Sequence, residues 1–389
     1  MKIKIIVGLG FGDEGKGNVV NAISDKDSLI VRFNGSNQSG HTVYHNGVKH
    51  IFSSFGSGTM KGAMTYLSEY LTVDPLSVQN EFDILIKMMG TDMSPSYIHQ
   101  DTQLITPFDV MYNRKDKKNI KNGTCGIGFG SAVDRQEKGY NLRVRDIDSP
   151  RILDRKVEMI MDYYLDNRLL DKLEVGQIIA EVIDKWKEAC INLTATFGVV
   201  DNIQGVPNLY KDVIFEGGQG IMLDRDFGFF PHVTRSNTTS KNAWELILDL
   251  KMASRIETTV NIETLYVTRA YQTRHGNGPI TNDRLPFSII VPNKDETNVE
   301  HEFQGKFRVS KLDFDSIRYA IECDSKFSEG SVRTLVVTCL DQMEIPDGNN
   351  IPVTVGFTAQ NQDMPIQVMI KLLRLDRYIA CADKELILK

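Results

Sequence analysis

An α/β fold with a large, mostly parallel central sheet flanked by helices is predicted by three features of this 389-residue sequence. A β-branched run at 2–9 is closed by glycines and followed by a helical pattern, short apolar runs recur along the chain, and helical periodicity falls between them. The opening run reads as a buried strand, and NVVNAISDK, beginning at Asn18, reads as the helix after it. Further strands are expected at LIVRF (29–33), DVIFEG (212–217), TLYVTRAY (264–271) and TLVVTCL (334–340). Helices are expected at 75–89, 241–253, 312–322 and 365–376. Strands continuous in apolar residues and interleaved with helices belong to parallel sheets covered on both faces.

The stretch from about 149 to 200 is long, charged, rich in Leu, Ile and Met, and almost free of Gly and Pro after Pro150, which predicts consecutive helices. No Ser/Gly/Pro-rich linker sets it apart, so it is expected as a helical insertion within a single domain spanning 1–389. The lysine-rich KDKKNIKNGT (115–124) is expected as a solvated loop.

Composition narrows the function. A 41% hydrophobic content supports a large core, and a net charge of −6 gives no electrostatic reason to bind a nucleic-acid backbone. Five scattered cysteines lack zinc or disulfide spacing and fit a reducing cytoplasm. The first apolar run is too short for a secretory leader and ends in Asp13, Glu14 and Lys16; no stretch is long enough to span a membrane.

The chemistry centres on GFGDEGKGN (10–18). Its G-x-G-x-x-G spacing suggests a dinucleotide loop, but the second strand, LIVRFNGSN, carries no carboxylate to hold a ribose. It also nearly matches a phosphate loop, except that Gly17 stands where the metal-binding hydroxyl belongs. Backbone amides and Lys16 can still grip phosphates at a helix N-terminus. Asp13, inside that loop, would repel phosphate unless it carries a metal or moves a proton; the structural alternative is a helix-capping aspartate.

These residues, with NGSNQSGHT (34–42), GTCGIGFGSA (123–132), FEGGQGIMLDRDFGFFPHVTRSNTT (215–239), TRHGNGP (273–279) and TCLDQM (338–343), resemble the adenylosuccinate synthetase family in the same order along the chain. The resemblance implies that family's phosphate-loop-like fold and a homodimer. It also implies a ligase that phosphorylates O6 of a purine nucleotide and replaces it with the amine of L-aspartate. Asp13, His41 and Lys16 are the implied catalytic residues: Asp13 takes the N1 proton, His41 acts as general acid on the phosphate, and Lys16 neutralises phosphoryl charge. Gly12, Gly15, Lys16, Gly17, Gly40, Thr42 and Asp341 are implied for the nucleoside triphosphate, Asp341 as reader of its base. Mg2+ is implied at Asp13 and Gly40. The substrate nucleotide is assigned to Asp13, Gln38, Thr124, Arg135, Lys138, Gln219 and Thr234, with Arg135 or Lys138 supplying charge either within the chain or across the dimer.

Departures from the family pattern bear on the substrate. Where the usual enzyme has closely spaced arginines for aspartate, TNVEHEFQGKFRVSKLD (297–313) offers Arg308 alone, with Thr297 and Val299 as hydroxyl or backbone contacts. Cys339 replaces a lysine beside Asp341, and IACADKELILK lacks the glycine and proline that close a guanine pocket, so ATP as well as GTP is a candidate donor. These features are similar to the phage branch of the family that converts dGMP to N6-succino-2-amino-2′-deoxyadenylate for 2-aminoadenine DNA, which would place the protein in a host cytoplasm. Asp13 itself is retained where that branch usually carries a small hydroxyl residue. dGMP is the expected substrate, and IMP with GTP is the alternative.

Overall fold

The computed structural model describes all residues except 254–259, 283–286, 288–302, 304, 344–349, 357–359 and 382–389. A nine-stranded sheet, parallel throughout, forms its centre. Its order from one edge is Arg377–Ala380, Val332–Thr338, Ile262–Arg269, Lys2–Gly8, Asp212–Gly220, Ser28–Arg32, Met64–Leu67, Ser96–His99 and Phe197–Val200. The first strand therefore lies near the middle, and the loop that follows it opens over the centre of the sheet.

Alternation along that strand explains why it is apolar and buried beyond Lys4. Ile3, Ile5 and Val7 face a core shared with the helices Lys241–Met252, Phe314–Ser325 and Ile366–Leu373, whereas Ile6 faces Val19 and Val20 of the helix Lys16–Ile23. Both faces are covered, as a parallel sheet requires.

A second sheet runs in the order Tyr271–His275, Phe307–Asp313, Asn350–Val355 and Gln360–Pro365. It corrects the expectation of one strand at 264–271. The chain breaks at Ala270, whose amide bonds Thr338 O at 2.9 Å, and passes from the central sheet into the second one. The expected helix at 312–322 likewise begins later. Residues Phe307–Asp313 are a strand, and Asp313 caps the helix Phe314–Ser325 by accepting from the amides of Asp315 and Ser316. The helix expected at 365–376 stops at Leu373, where Arg374 turns left-handed at φ 54°.

Three helices fill the predicted helical stretch: Pro150–Asp166, Lys172–Glu181 and Ile183–Thr196. Their apolar faces (Leu153, Val157, Ile160, Trp186, Leu193) join a core with Leu67, Val73, Ile98 and Phe108, beside the far edge of the sheet. The supposed loop at 115–124 contains a short helix, Lys117–Asn122, capped by the Asp116 carboxylate at its start and left-handed Gly123 at its end. No helix among the described residues is long and apolar enough to cross a membrane.

Candidate active site

The loop between Gly8 and Lys16 is built around a buried carboxylate. Glu14 turns under it, accepting from Gly10 N at 2.7 Å through Oε1 and from Lys16 Nζ at 2.7 Å through Oε2. Glu14 and Lys16 are 3% and 2% exposed, so this pair is buried at the floor of the cleft that both residues line. A Cβ on Gly220 would stand 2.6 Å from Glu14 Oε1, and one on Gly8 would also strike the carboxylate. Those two glycines make room for the floor of the site. A phosphate placed at Lys16 shares its ammonium with Glu14.

Asp13 occupies the left-handed region at φ 59°. An arm made of the end of one strand and the next grips its surroundings: Arg269 Nε donates to the Asp13 carbonyl, Thr273 Oγ1 to Gly12 O at 3.2 Å, and His275 Nε2 lies 3.3 Å from Asp13 Oδ2. Burial raises the Asp13 carboxyl, but His275, Arg269 and Lys16 together outweigh it and leave the group below its ordinary 3.8. It is ionised at neutral pH and can accept a hydrogen bond.

His41 starts the hairpin His41–His45/Val48–Phe52, closed by left-handed Asn46 and Gly47. Its Nδ1 bonds Glu216, and Nε2 lies 3.2 Å from Gly218 O. Both partners are acceptors, so the arrangement is satisfied only when each ring nitrogen carries hydrogen. Glu216 is fully buried and also accepts from Ser57 N at 3.0 Å and from Ser57 Oγ. Burial raises this carboxyl, yet His41, Arg32 and Ser57 bring it down to about 2.

Gly17, the departure from an ordinary phosphate loop, has a steric cause. A Cβ there would lie 2.7 Å from His41 Cβ and 3.1 Å from Ser57 Oγ. The position of a metal-binding hydroxyl has been given up to bring a histidine against the helix N-terminus.

The cleft above these residues encloses about 390 Å³, within the roughly 300–1,000 Å³ of ligand pockets. Gly12, Asp13, Gly15, Lys16, Gly17, Gln38, Gly40, His41, Thr42, Thr124, Gln219, Thr234 and Asp341 all line it. Gln38 Nε2 reaches Thr234 Oγ1 at 3.4 Å, and Gln219 Oε1 is buried with no hydrogen-bond partner among the described residues. Thr124 Oγ1 donates to Asn113 Oδ1 at 2.7 Å and accepts from Gly126 N at 3.2 Å. Lys118, Asn119 and Asn122 of the helix at 117–122 also line the cleft, so this segment is part of its wall.

Other expected residues lie elsewhere. Arg135 is fully buried, with Nε and Nη2 on the two Asp109 oxygens at 2.9 and 3.0 Å and further bonds to Leu104 O and Tyr140 O. Its guanidinium ties together the packing behind the 123–128 loop, and no face of it reaches the cleft of this chain. Lys138 Nζ bonds Tyr163 Oη at 3.1 Å, outside the cleft. Arg308 is also outside the lining; it stands opposite Arg274 across an antiparallel pair and donates to Gly278 O. Thr297 and Val299 fall outside the described residues. Cys125 lines the cleft, but burial, with the Asp13 charge adding, pushes its thiol up to about 12, too high for a nucleophile at neutral pH.

Sequence reasoning passed over Glu14, Glu216, Arg269, Thr273 and His275. The one signal for Glu216 is a carboxylate at the end of an otherwise apolar strand, DVIFEG.

A sequence model of adenylosuccinate synthetase matches residues 5–378. The chain belongs to the adenylosuccinate synthetase family. That family consists of ligases that form C–N bonds. The adenylosuccinate synthetase of Syntrophobacter fumaroxidans is 30% identical over 302 residues, covering 72% of this chain and 65% of that one. The enzyme of Thermoplasma acidophilum is 28% identical, covering 89% and 77%. Among solved structures, fully ligated adenylosuccinate synthetase from Plasmodium falciparum superposes with a TM-score of 0.73 at 17% identity, covering 99% of both chains. Succinoaminodeoxyadenylate synthetase of cyanophage S-2L, bound to dGMP and dATP, gives 0.58 at 14% identity, covering 97% of this chain and 91% of that one. At these identities the likeness is one of fold, and it is the adenylosuccinate synthetase fold.

Proposed function

We propose that this chain joins L-aspartate to carbon 6 of dGMP, with hydrolysis of ATP or GTP, giving N6-succino-2-amino-2′-deoxyadenylate, the nucleoside diphosphate and phosphate. The observation that carries the reading is the placing of an ionised carboxylate, Asp13, and a doubly hydrogen-bonded imidazole, His41, in one cleft at the N-terminus of the helix that starts with Lys16.

A 6-oxo group leaves poorly until it is a phosphate ester. Asp13 accepts the N1 proton as O6 attacks the γ-phosphorus and the bond to the bridging oxygen breaks. The loop amides and Lys16 stabilise the charge on the transferred phosphoryl group, and His41, held at Nδ1 by Glu216, exchanges its Nε2 contact with Gly218 O for a bond to one of that group's oxygens. The amine of aspartate then adds at C6, phosphate leaves, and O6 departs with it. Gln219, whose amide oxygen has no hydrogen-bond partner among the described residues, would meet the purine edge, and Thr234 and Thr124 the 5′-phosphate.

Mg2+ fits this donor set. Asp13, an ionised carboxylate, and Gly40 line one cleft, and Mg2+ is characteristically held by one or two protein oxygens together with substrate phosphates. Asp13 and Gly40 would supply those oxygens, and the ion would neutralise phosphate charge.

The preference for dGMP rests on the sparse cations of 297–313, with Arg308 as the fork for the aspartate carboxylate, and on Cys339 beside Asp341. A second reading, IMP with GTP, is favoured by the adenylosuccinate synthetases at 27–30% identity. A homodimer accompanies either. Purified protein, aspartate and ATP or GTP, supplied with dGMP or IMP in turn, separates them: turnover of dGMP is expected, and turnover of IMP alone would refute the dGMP assignment.

A further inference from the structure

We propose that His275 is a positioning residue for Asp13, holding one carboxylate oxygen so that the other faces the substrate proton. The inference rests on the reading of Asp13 as proton acceptor given above.

His275 stands against the Asp13 carboxylate, its Nε2 lying 3.3 Å from Oδ2. The ring is held from behind. It packs on Phe307, with ring centroids 4.9 Å apart, and those two residues are paired across the antiparallel strands Tyr271–His275 and Phe307–Asp313. Gly276, left-handed at φ 79°, turns the chain away directly afterwards.

The other nitrogen settles where the hydrogen sits. Nδ1 is buried and has no hydrogen-bond partner among the described residues. A buried N–H without an acceptor carries the full cost of its desolvation. A ring with its hydrogen on Nε2 avoids that cost and sets a donor 3.3 Å from Oδ2. Arg269 and Thr273 hold the main chain of Asp13 and Gly12 from the same arm, so backbone and carboxylate are fixed by one element.

Division of labour between the two oxygens follows. His275 takes one lone pair of Oδ2, whose second lone pair stays open to Mg2+ when the ion is bound, and Oδ1 receives the N1 proton. The N1–H pair moves into the ring, an O6 pair forms the bond to the γ-phosphorus, and the bridging oxygen leaves with its pair on the nucleoside diphosphate. His275 keeps its own hydrogen throughout.

The test compares His275→Leu with His275→Gln in the whole protein, using the nucleotide and triphosphate that the wild type turns over. The glutamine amide nitrogen can stand where Nε2 stands and donate to Oδ2; leucine fills the space without a donor. Misplacing a reacting group by about 1 Å costs on the order of 100-fold. His275→Leu is accordingly expected to lower kcat roughly 10- to 100-fold, with the nucleotide KM within about twofold. His275→Gln is expected to recover most of that loss. If His275→Leu fails to fold, His275→Asn, one bond too short to reach, takes its place with the same expectation. Equal losses in the donor and non-donor variants, an unchanged kcat, or a change confined to KM would overturn the proposal. Failure of the wild type to turn over either dGMP or IMP would instead remove the reading of the site, and this inference with it.

Discussion

Gly17→Ala is the perturbation for which the structure gives the sharpest forecast, because two effects of opposite sign meet there. In a helix interior alanine is favoured over glycine by about 1 kcal/mol, so propensity alone predicts a more stable protein. The new methyl, however, would lie 2.7 Å from His41 Cβ, against an ordinary carbon–carbon contact of about 3.5–4.0 Å. One of the two must yield by about 1 Å. His41 is the first residue of a two-stranded hairpin, whereas Gly17 sits in the helix packed on the central sheet, so the hairpin gives way. A 1 Å misplacement of a reacting group costs about 100-fold, roughly 2.7 kcal/mol in the barrier. We expect Gly17→Ala to lose about 100-fold in kcat with the nucleotide KM changed by less than about threefold. Steady-state kinetics beside thermal unfolding measure both. Gly17→Ser, which restores the hydroxyl of an ordinary phosphate loop, is expected to be no better. A Gly17→Ala protein with wild-type kcat would refute the argument that this glycine exists to admit His41.

Two further outcomes follow from buried charges. Glu216 has its carboxyl lowered from an ordinary 4.5 to about 2; a depressed value stabilises the fold above the ordinary pKa and is lost as pH falls from about 4.5 towards 2. The difference is about 3 kcal/mol, so denaturant unfolding of wild type and Glu216→Gln across that range should converge by this amount on acidification, and parallel profiles would contradict it. Arg135→Met leaves buried Asp109 without its cation, a loss of about 3–5 kcal/mol, and is expected to lower the unfolding midpoint sharply while any folded fraction keeps the wild-type nucleotide KM; a selective rise in KM would return Arg135 to the substrate site.

The centre of the fold is legible in the sequence because Lys2–Gly8, Ser28–Arg32, Ile262–Arg269 and Val332–Thr338 are dense in β-branched residues and buried on both faces. The last three strands on one side of the sheet, MTYL, SYIH and FGVV, are four residues each and carry neither periodicity nor flanking turn signals strong enough to mark them. Leu312 and Asp313, expected to open a helix at 312–322, are instead the end of the strand FRVSKLD; Asp313, a helix cap, marks the boundary. In the site, the glycine loop stands out because its conformation demands particular residues at fixed spacing. Glu216 and His275 act through partners distant in sequence, and nothing local distinguishes them from a buried glutamate and a strand histidine. Arg135 illustrates the converse: an arginine near a phosphate-binding motif reads as a ligand, and only packing reveals that its charge is spent on Asp109.

The account stands or falls on the fate of the purine oxygen. If Asp13 and His41 serve attack of O6 on the γ-phosphorus, substrate labelled with oxygen-18 at carbon 6 must deliver that label to inorganic phosphate, one atom per turnover, as followed by mass spectrometry. Label appearing in water, or retained in the product, would contradict it.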